Sequence, residues 1–182
     1  MKDLCIYMKS LFIISILSIV FSNEIIAQTK NNTIPDGTFY LVRHGEKDTG
    51  ANPVLSKLGN LRAGDLYRLL KDKKIGKIYF TQYRRTMITG DSLRLYTNTD
   101  TVRYKADAKG DDIVNKLLSE KVGQNILIIG HSNTIPAIVR RLGVPDFKPE
   151  EIPDNEYDNL YIVTIKDNKA SVEKLKYGKA SQ

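Results

Sequence analysis

Short apolar segments rich in β-branched and aromatic residues alternate with amphipathic segments along most of this chain, and few folds accommodate that alternation. A helical pattern follows each of the first four apolar segments, so each predicted strand is expected to lead into a helix that packs on the sheet. Such an arrangement predicts a mostly parallel sheet with helices on both faces. The predicted strands are residues 38–42, 75–80, 102–104 and 125–129.

Apolar residues at helical spacing predict four helices. Ser56 is expected to cap the first helix, and Asp111 or Asp112 the third. In the second helix, Met87, Ile88 and Leu95 are expected to be available for the core. The predicted helices are residues 58–70, 84–95, 113–118 and 134–142.

Two last strands are predicted at residues 159–165 and 171–175, on either side of Asp167 and Asn168, a pair that favours a tight hairpin turn. This hairpin would supply an antiparallel edge to the sheet. The predicted fold class is therefore α/β, a three-layer α/β/α sandwich with a mostly parallel sheet and an antiparallel edge.

The N-terminal residues 1–27 have the features of a secretory signal peptide. Lys2 and Lys9 precede the apolar run of residues 11–21, and Ala27 provides a small residue for cleavage. The run is shorter than the ~20 apolar residues of a membrane span. We expect an exported protein, periplasmic or secreted, with no stable membrane span after cleavage; the alternative is a protein anchored by an uncleaved N-terminal segment.

Composition limits the remaining chemistry. The chain of 182 residues has 41% hydrophobic and 27% charged residues, which is typical of one globular domain. We expect a flexible lead-in at residues 28–36, a single domain at 37–178 and a short tail at 179–182. With Cys5 as its only cysteine and two histidines, the sequence supports neither a disulfide framework nor a bound metal, and no cofactor is expected.

The formal charge of +7 favours anionic partners. The lysines near the C-terminus have no aromatic residues interleaved with them as a base-stacking surface would require, so nucleic acid is not the expected partner. The expected partner is a small phosphorylated substrate or a phosphoprotein. The sequence does not predict the oligomeric state.

Both histidines of the chain come directly after a predicted strand. His44 follows residues 38–42, and His131 follows residues 125–129. Ligands of parallel α/β sheets bind outside the carboxyl ends of the strands, so the two histidines are expected to share one site. Arg43 precedes the first histidine.

The residue types around these histidines fit a phosphoryl group. Arg84 and Arg85 follow the strand at residues 75–80, and the planar guanidinium of an arginine binds two phosphate oxygens at once. Gly45 would let the backbone approach a ligand. Ser132 would add donors at the start of a helix. The sequence contains no Gly-x-x-x-x-Gly-Lys-Ser/Thr motif, so a P-loop nucleotide hydrolase is disfavoured.

Four segments in order resemble the histidine phosphatase superfamily, which has the phosphoglycerate-mutase-like fold. LVRHGEKD is similar to its first-histidine motif, and LIIGHSNTIPAIV to its second-histidine segment. LSKLGNLRA is similar to its first helix start, with Arg62 in place of glutamine. TQYRRTMITG is similar to its second arginine segment, with Thr86 and Gly90 departing from the pattern. The resemblance is closest to the compact branch with few insertions, which includes phosphohistidine phosphatases.

The resemblance implies roles for four residues. His44 would be the nucleophile that becomes phosphohistidine, with no metal required. Arg43 and Arg85 would clamp the phosphoryl oxygens, and His131 would donate a hydrogen bond to them. Gly45 and Ser132 would complete the phosphate site. Arg84 is expected to be a solvated helix residue.

A general acid for the leaving group is not identified by the sequence. Too few residues separate Arg85 from His131 to include the large insertion that carries this acid in other members of the superfamily. Glu46, Asp111 and Glu156 are the candidates, with Asp107 and Asp112 also in the region where the insertion would lie. Each is more typical of a solvated or capping carboxylate than of a catalyst. The expected activity is that of a phosphomonoesterase acting on phosphate esters or phosphohistidine. The alternatives are a phosphate-binding or envelope-associated protein without turnover, and a phosphoglycerate-type mutase.

Export predicts a mature N-terminus near Gln28, because Ala27 ends the signal-like segment. Mass spectrometry of the protein from its native source should show this start. An intact N-terminal apolar run on a soluble cytoplasmic protein would contradict the prediction.

Overall fold

Six strands form a single mixed sheet in the computed structural model, which describes residues 33–181. The expected signal segment and most of the lead-in lie outside the described residues, so export stays a prediction. The strands are β1 (Gly37–Arg43), β2 (Ile75–Thr81), β3 (Asp100–Tyr104), β4 (Gln124–Gly130), β5 (Asn159–Lys166) and β6 (Lys169–Lys176).

The strand order in the sheet is β3-β2-β4-β1-β5-β6. The first four of these strands are parallel, whereas β5 runs antiparallel to β1 and β6 antiparallel to β5. Asp167 and Asn168 both have positive φ in the turn between β5 and β6, as the sequence predicts for a tight hairpin. The predicted mostly parallel sheet with an antiparallel edge is confirmed.

Four helices cover the two faces of the sheet, which confirms the three-layer sandwich. Leu66 of the first helix and Leu93 of the second lie in the core on one face of the sheet. Ile113 of the third helix and Ile138 of the fourth lie in the core on the other face. None of the helices within residues 33–181 combines the length and apolar character that a membrane crossing requires. The helices are α1 (Lys57–Leu70), α2 (Arg84–Thr97), α3 (Asp111–Leu117) and α4 (Ile135–Arg141).

The buried face of α2 differs from the one that the sequence predicts. Met87 and Leu95 are exposed, the latter to 65%, so the prediction that they enter the core is wrong. Thr86, Thr89, Gly90 and Leu93 form the buried face instead, and Ile88 is half-buried. A Cβ on Gly90 would lie 2.8 Å from Ile129 Cδ1, so the glycine allows the helix to lie close against the sheet.

Helix α3 is capped by a residue outside the predicted pair. Ser56 caps α1 as predicted, by accepting a hydrogen bond from Gly59 N. Asp111 and Asp112, however, lie in the first turn of α3 and do not cap it. The carboxylate of Asp107 accepts hydrogen bonds from the backbone N–H groups of both.

The start of α1 packs directly on the segment that follows β1. A Cβ on Gly59 would lie 2.0 Å from the carbonyl oxygen of Glu46, and a Cβ on Gly45 would lie 3.0 Å from the carbonyl oxygen of Gly59. Neither position has room for a side chain, because the obstructing atoms belong to the backbone. This contact determines where the chain runs after β1.

Gly59→Ala is expected to destabilise the protein by several kcal/mol, since the added methyl group overlaps backbone atoms. Gly64→Ala in the same helix is the matched control, because its nearest neighbour is the flexible Arg68 side chain at 3.4 Å. The control should raise the free energy of unfolding by about 0.5–1 kcal/mol through helix propensity. Urea unfolding of both variants tests this, and equal effects would contradict it.

Candidate active site

The parallel pairing of β1 with β4 places the two histidines side by side. Arg43 lies opposite Gly130 in the register, and His44 N donates a hydrogen bond to Gly130 O at 3.0 Å. His131 follows Gly130 directly, so both histidines project from the same edge of the sheet. The ring centroids of His44 and His131 are 5.3 Å apart.

One cavity of about 380 Å³ lies at this edge. The four residues to which the sequence assigns catalytic roles all line it: Arg43, His44, Arg85 and His131. The rest of its lining is largely polar. These other lining residues include Lys47, Tyr83, Asp107, Ser132, Asn133, Thr134, Glu151 and Asp154.

His44 is buried, and one of its ring nitrogens is occupied. Nδ1 lies 2.8 Å from the carbonyl oxygen of Gly45, so Nδ1 carries the proton of the neutral ring and Nε2 keeps its lone pair. Burial lowers the pKa of His44 to about 3, and the charges of His131, Arg85 and Arg43 act in the same direction against the opposing hydrogen bond to Gly45. His44 is therefore neutral, with a free Nε2, at neutral pH.

His131 contacts both a hydroxyl and a guanidinium. Its Nε2 lies 3.0 Å from Thr81 Oγ1, at the end of β2, and its Nδ1 lies 3.3 Å from Arg85 Nη2. Burial lowers the pKa of His131 to about 4, with further contributions from the charges of Arg85 and Arg43. His131 is thus also neutral at neutral pH in this structure.

Arg85 and Arg84 differ in the way that the sequence predicts. Arg85 stacks over the ring of Tyr83, with its guanidinium carbon 4.4 Å from the ring centroid, and burial lowers its pKa. Its Nε is buried without a hydrogen-bond partner. Arg84 is exposed outside the pocket, and only its backbone N–H is engaged, by Asn52 Oδ1.

Arg43 holds the segment before β5 in place. Its Nη1 donates to the carbonyl oxygens of Pro153, Asp154 and Glu156 at 3.0, 2.9 and 3.3 Å. Its guanidinium carbon lies 4.2 Å from the ring centroid of Tyr157. Its Nε is buried and unpaired, as in Arg85. Arg43 therefore has a structural role that the sequence does not predict, in addition to its place in the pocket.

The three carboxylates that the sequence offers as general acids lie elsewhere. Glu46 pairs with the buried guanidinium of Arg62, which donates to both carboxylate oxygens from Nε at 3.1 and 3.0 Å. Asp111 pairs with Arg141 on the surface. Glu156 accepts hydrogen bonds from the side chains of Asn159 and Lys176. None of the three lines the cavity, so the structure does not support them as acids.

The two additional phosphate-site residues also differ in placement. Ser132 lines the cavity, where its hydroxyl donates to Glu151 at 2.9 Å. Gly45 does not line it, and its backbone N–H donates to Thr89 Oγ1. The absence of a side chain at Gly45 is required by its contact with Gly59, rather than by the approach of a ligand.

Sequence reasoning missed most of the acidic residues in the pocket. Asp107 is the exception, because it follows β3 closely and the sequence already offers it as a candidate acid. Glu151 and Asp154 come from the irregular segment between α4 and β5, where no helix or strand pattern in the sequence indicates a site residue. Asp154 Oδ1 lies 3.4 Å from Arg43 Nη2. Although partial burial acts to raise it, hydrogen bonds from backbone N–H groups hold the pKa of Asp107 below its ordinary value.

The side chains that can donate hydrogen bonds into the pocket are mainly cationic groups and imidazoles. Within residues 33–181, no group of three or more histidine, cysteine, aspartate or glutamate residues is arranged to hold a metal ion. The positive charge in the pocket comes from the side chains of Arg43, Arg85 and Lys47.

The chain resembles solved structures although its sequence matches no family model and no curated protein. A protein from Agrobacterium tumefaciens described as the phosphohistidine phosphatase SixA is 17% identical, with a TM-score of 0.58 over 79% of this chain and 99% of its own. Bacillus stearothermophilus YhfR is 15% identical, with a TM-score of 0.57 over 75% of this chain and 95% of its own. A phosphoglycerate mutase from Bacillus anthracis is 15% identical, with a TM-score of 0.55 over 79% and 94%. The predicted histidine phosphatase resemblance is thus confirmed at the level of the fold.

The two neutral histidines predict a specific loss of stability in acid. Their pKa values in the folded protein lie below the ordinary value near 6.5, so the unfolded chain binds more protons than the folded protein does as the pH falls. Stability should fall as the pH is lowered through about 6.5, by up to about 2 kcal/mol per histidine at pH 5. Urea unfolding at pH 7.5 and pH 5 measures this loss. It should be smaller in His44→Gln and in His131→Gln, and an equal loss in all three proteins would contradict the assignment.

Proposed function

We propose that this protein is a phosphomonoesterase that hydrolyses phosphate esters or phosphohistidine through a covalent phosphohistidine at His44. The observation that carries the proposal is the free Nε2 of neutral His44 in a pocket with Arg43, Arg85 and His131. An imidazole nitrogen with a lone pair is a competent nucleophile towards phosphorus. The proposed substrate is a small phosphorylated compound or a phosphoprotein.

The two unpaired arginine nitrogens support a bound anion. Nε of Arg43 and Nε of Arg85 are among the few buried side-chain atoms in residues 33–181 that have no hydrogen-bond partner. A buried donor on a charged group is costly when it is left unpaired. Phosphoryl oxygens would provide acceptors for these arginines, and their negative charge would also balance the charge that the two guanidinium groups bring into the pocket.

The proposed reaction has two steps. His44 Nε2 attacks phosphorus, the bond to the leaving oxygen or nitrogen breaks, and that atom keeps the electron pair and takes up a proton. Water then attacks the phosphohistidine, and the N–P bond breaks to return the lone pair to Nε2. Gly45 O holds Nδ1 in both steps, which keeps the ring orientation constant. Arg43 and Arg85 would stabilise the negative charge on the equatorial oxygens.

The pocket carboxylates bear on the second candidate function, a phosphate-binding protein without turnover. Asp107 is engaged as the cap of α3, and Asp154 lies against Arg43. Glu151 accepts a hydrogen bond from the hydroxyl of Ser132. Each pocket carboxylate thus already has a partner and none is assigned as a proton donor, which favours binding without turnover for substrates with poor leaving groups.

A mutase is less compatible with the described chain. A mutase has to shield its phosphohistidine from water. Between Arg85 and His131 the chain forms the rest of α2, then β3, α3 and β4, with only short connections. These residues include no insertion that would form a lid over His44.

Rapid quenching in alkali with labelled aryl phosphate should trap an acid-labile phosphoenzyme on the wild-type protein and none on His44→Ala. Arg85→Ala should lower kcat/KM by about 10²–10³-fold, as expected when a donor to a transition-state oxyanion is lost. Arg84→Ala is the matched control, because this neighbour carries the same charge outside the pocket, and it should change kcat/KM less than about twofold. Wild-type activity in His44→Ala would exclude the proposed nucleophile. Binding of the substrate with turnover no higher than that of His44→Ala would favour the binding protein.

With no general acid assigned among residues 33–181, we expect a steep dependence on the leaving group. Aryl phosphates and phosphohistidine should exceed alkyl phosphates in kcat/KM by on the order of 10²–10⁴-fold, the usual contribution of a positioned acid. A series of esters with graded leaving-group pKa measures the slope. A flat series would show that an acid is present, and the slopes of Glu151→Gln and Asp154→Asn would then identify it.

A further inference from the structure

A chain of buried hydroxyl groups connects His131 to the start of α2. Thr81 Oγ1 lies 3.0 Å from His131 Nε2 and 3.0 Å from Thr86 Oγ1. Thr86 Oγ1 in turn lies 2.8 Å from the carbonyl oxygen of Tyr83. Thr81 and Thr86 are at most 1% exposed, so water does not compete for these bonds.

The far end of this chain determines the direction of every hydrogen bond in it. A carbonyl oxygen can only accept, so the single proton of the Thr86 hydroxyl is donated to Tyr83 O. Thr86 Oγ1 therefore acts as an acceptor towards Thr81, both from its backbone N–H at 3.1 Å and from its hydroxyl. The Thr81 hydroxyl thus donates its only proton to Thr86 Oγ1, so it can only accept a hydrogen bond from His131.

Arg85 leads to the same assignment from the other side of the ring. A guanidinium has donors and no acceptor, so Arg85 Nη2 at 3.3 Å requires a lone pair on His131 Nδ1. The neutral ring consequently carries its proton on Nε2 and has a bare Nδ1. His44 has the opposite arrangement, with the proton on Nδ1 against Gly45 O.

We propose that Thr81 and Thr86 are positioning residues that hold His131 in the Nε2–H tautomer, so that Nδ1 has to gain a proton before it can donate to a bound phosphoryl group. The second half of this inference rests on the proposed function, whereas the tautomer itself does not. Binding of a dianion would then be accompanied by uptake of one proton, which forms an N–H bond at Nδ1 and breaks none in the protein.

The surroundings of His131 are consistent with proton uptake on binding. His44 and Tyr83 lie with ring centroids 5.3 Å from it, and Arg85 contacts it directly. Burial and the charges of Arg85 and Arg43 oppose a positive charge on His131. A bound dianion would offset both arginine charges and make the imidazolium favourable. The other charged groups that line the cavity are Arg43, Lys47, Asp107, Glu151 and Asp154.

Nitrogen-15 NMR of the full chain labelled at histidine tests the tautomer without any ligand. The chain has only two histidines, and His44→Gln assigns the remaining signals to His131. We expect Nε2–H for His131 and Nδ1–H for His44 at pH 7.5. An Nδ1–H tautomer for His131 in the wild-type protein would overturn the proposal.

Thr81→Val keeps the shape of the side chain and removes the hydroxyl, so the preference of His131 for the Nε2–H tautomer should weaken, with the contact between Arg85 and Nδ1 as its remaining support. Thr81→Ser should retain the preference, and Thr164→Val is the control for the same exchange at an exposed strand position. Thr86→Val provides a second break in the chain if Thr81→Val fails to fold. An unchanged tautomer in a folded Thr81→Val or Thr86→Val variant would overturn the role of the hydroxyl groups.

Calorimetric titration with sulfate in buffers of different ionisation enthalpy tests the coupling to binding, because sulfate itself remains a dianion near neutral pH. The wild-type protein and Thr164→Val should take up about one proton per sulfate. Thr81→Val should take up less, since part of its neutral His131 population can already donate from Nδ1. Sulfate binding without proton uptake by the wild-type protein would overturn the coupling. Absence of sulfate binding would count against the proposed phosphate site, while the NMR result would still decide the tautomer.

Discussion

The parallel ladder between β1 and β4 is the interaction on which the rest of the site depends. It places Arg43 opposite Gly130, and the bond from His44 N to Gly130 O extends the ladder one residue past the strands. His44 and His131 therefore lie at corresponding positions, directly after the carboxyl ends of two adjacent strands. A shift of one residue would turn one of the two side chains to the other face, because side chains alternate along a strand.

The pocket also depends on residues that hold its walls in place. Thr89 receives a hydrogen bond from Gly45 N and donates one to Arg85 O, so a single hydroxyl connects the segment after β1 to α2. Arg43 connects β1 to the segment before β5 through three carbonyl oxygens. These bonds position His44 and the two arginines relative to one another, at elements far apart in the chain.

Arg62 explains how the C-terminal residues are held. The sequence shows arginine where the resembled motif has glutamine, and the structure buries this arginine against Glu46. Arg62 Nη1 donates to Tyr177 O at 3.1 Å, and Nη2 donates to Lys179 O at 3.0 Å.

Ser181 N donates to Asp158 Oδ2, so the residues that the sequence predicts as a tail contact the domain specifically. Glu46 consequently serves a structural ion pair that a buried arginine requires, since an unpaired buried charge is strongly destabilising.

By itself, the sequence determined the order of the elements, the parallel sheet with its antiparallel hairpin, and the placement of His44 and His131 at strand ends. Those features follow from local periodicity and from the rule that parallel strands end at one edge of a sheet. Tertiary structure alone decided which carboxylates reach the pocket, because Glu151 and Asp154 come from an irregular segment and Glu46 is taken by Arg62. It likewise decided that Thr86 and Thr89 form the buried face of α2, since close packing on the sheet favours small residues over Met87. The tautomer of His131 belongs to the same class, because it depends on hydrogen bonds between residues 50 positions apart.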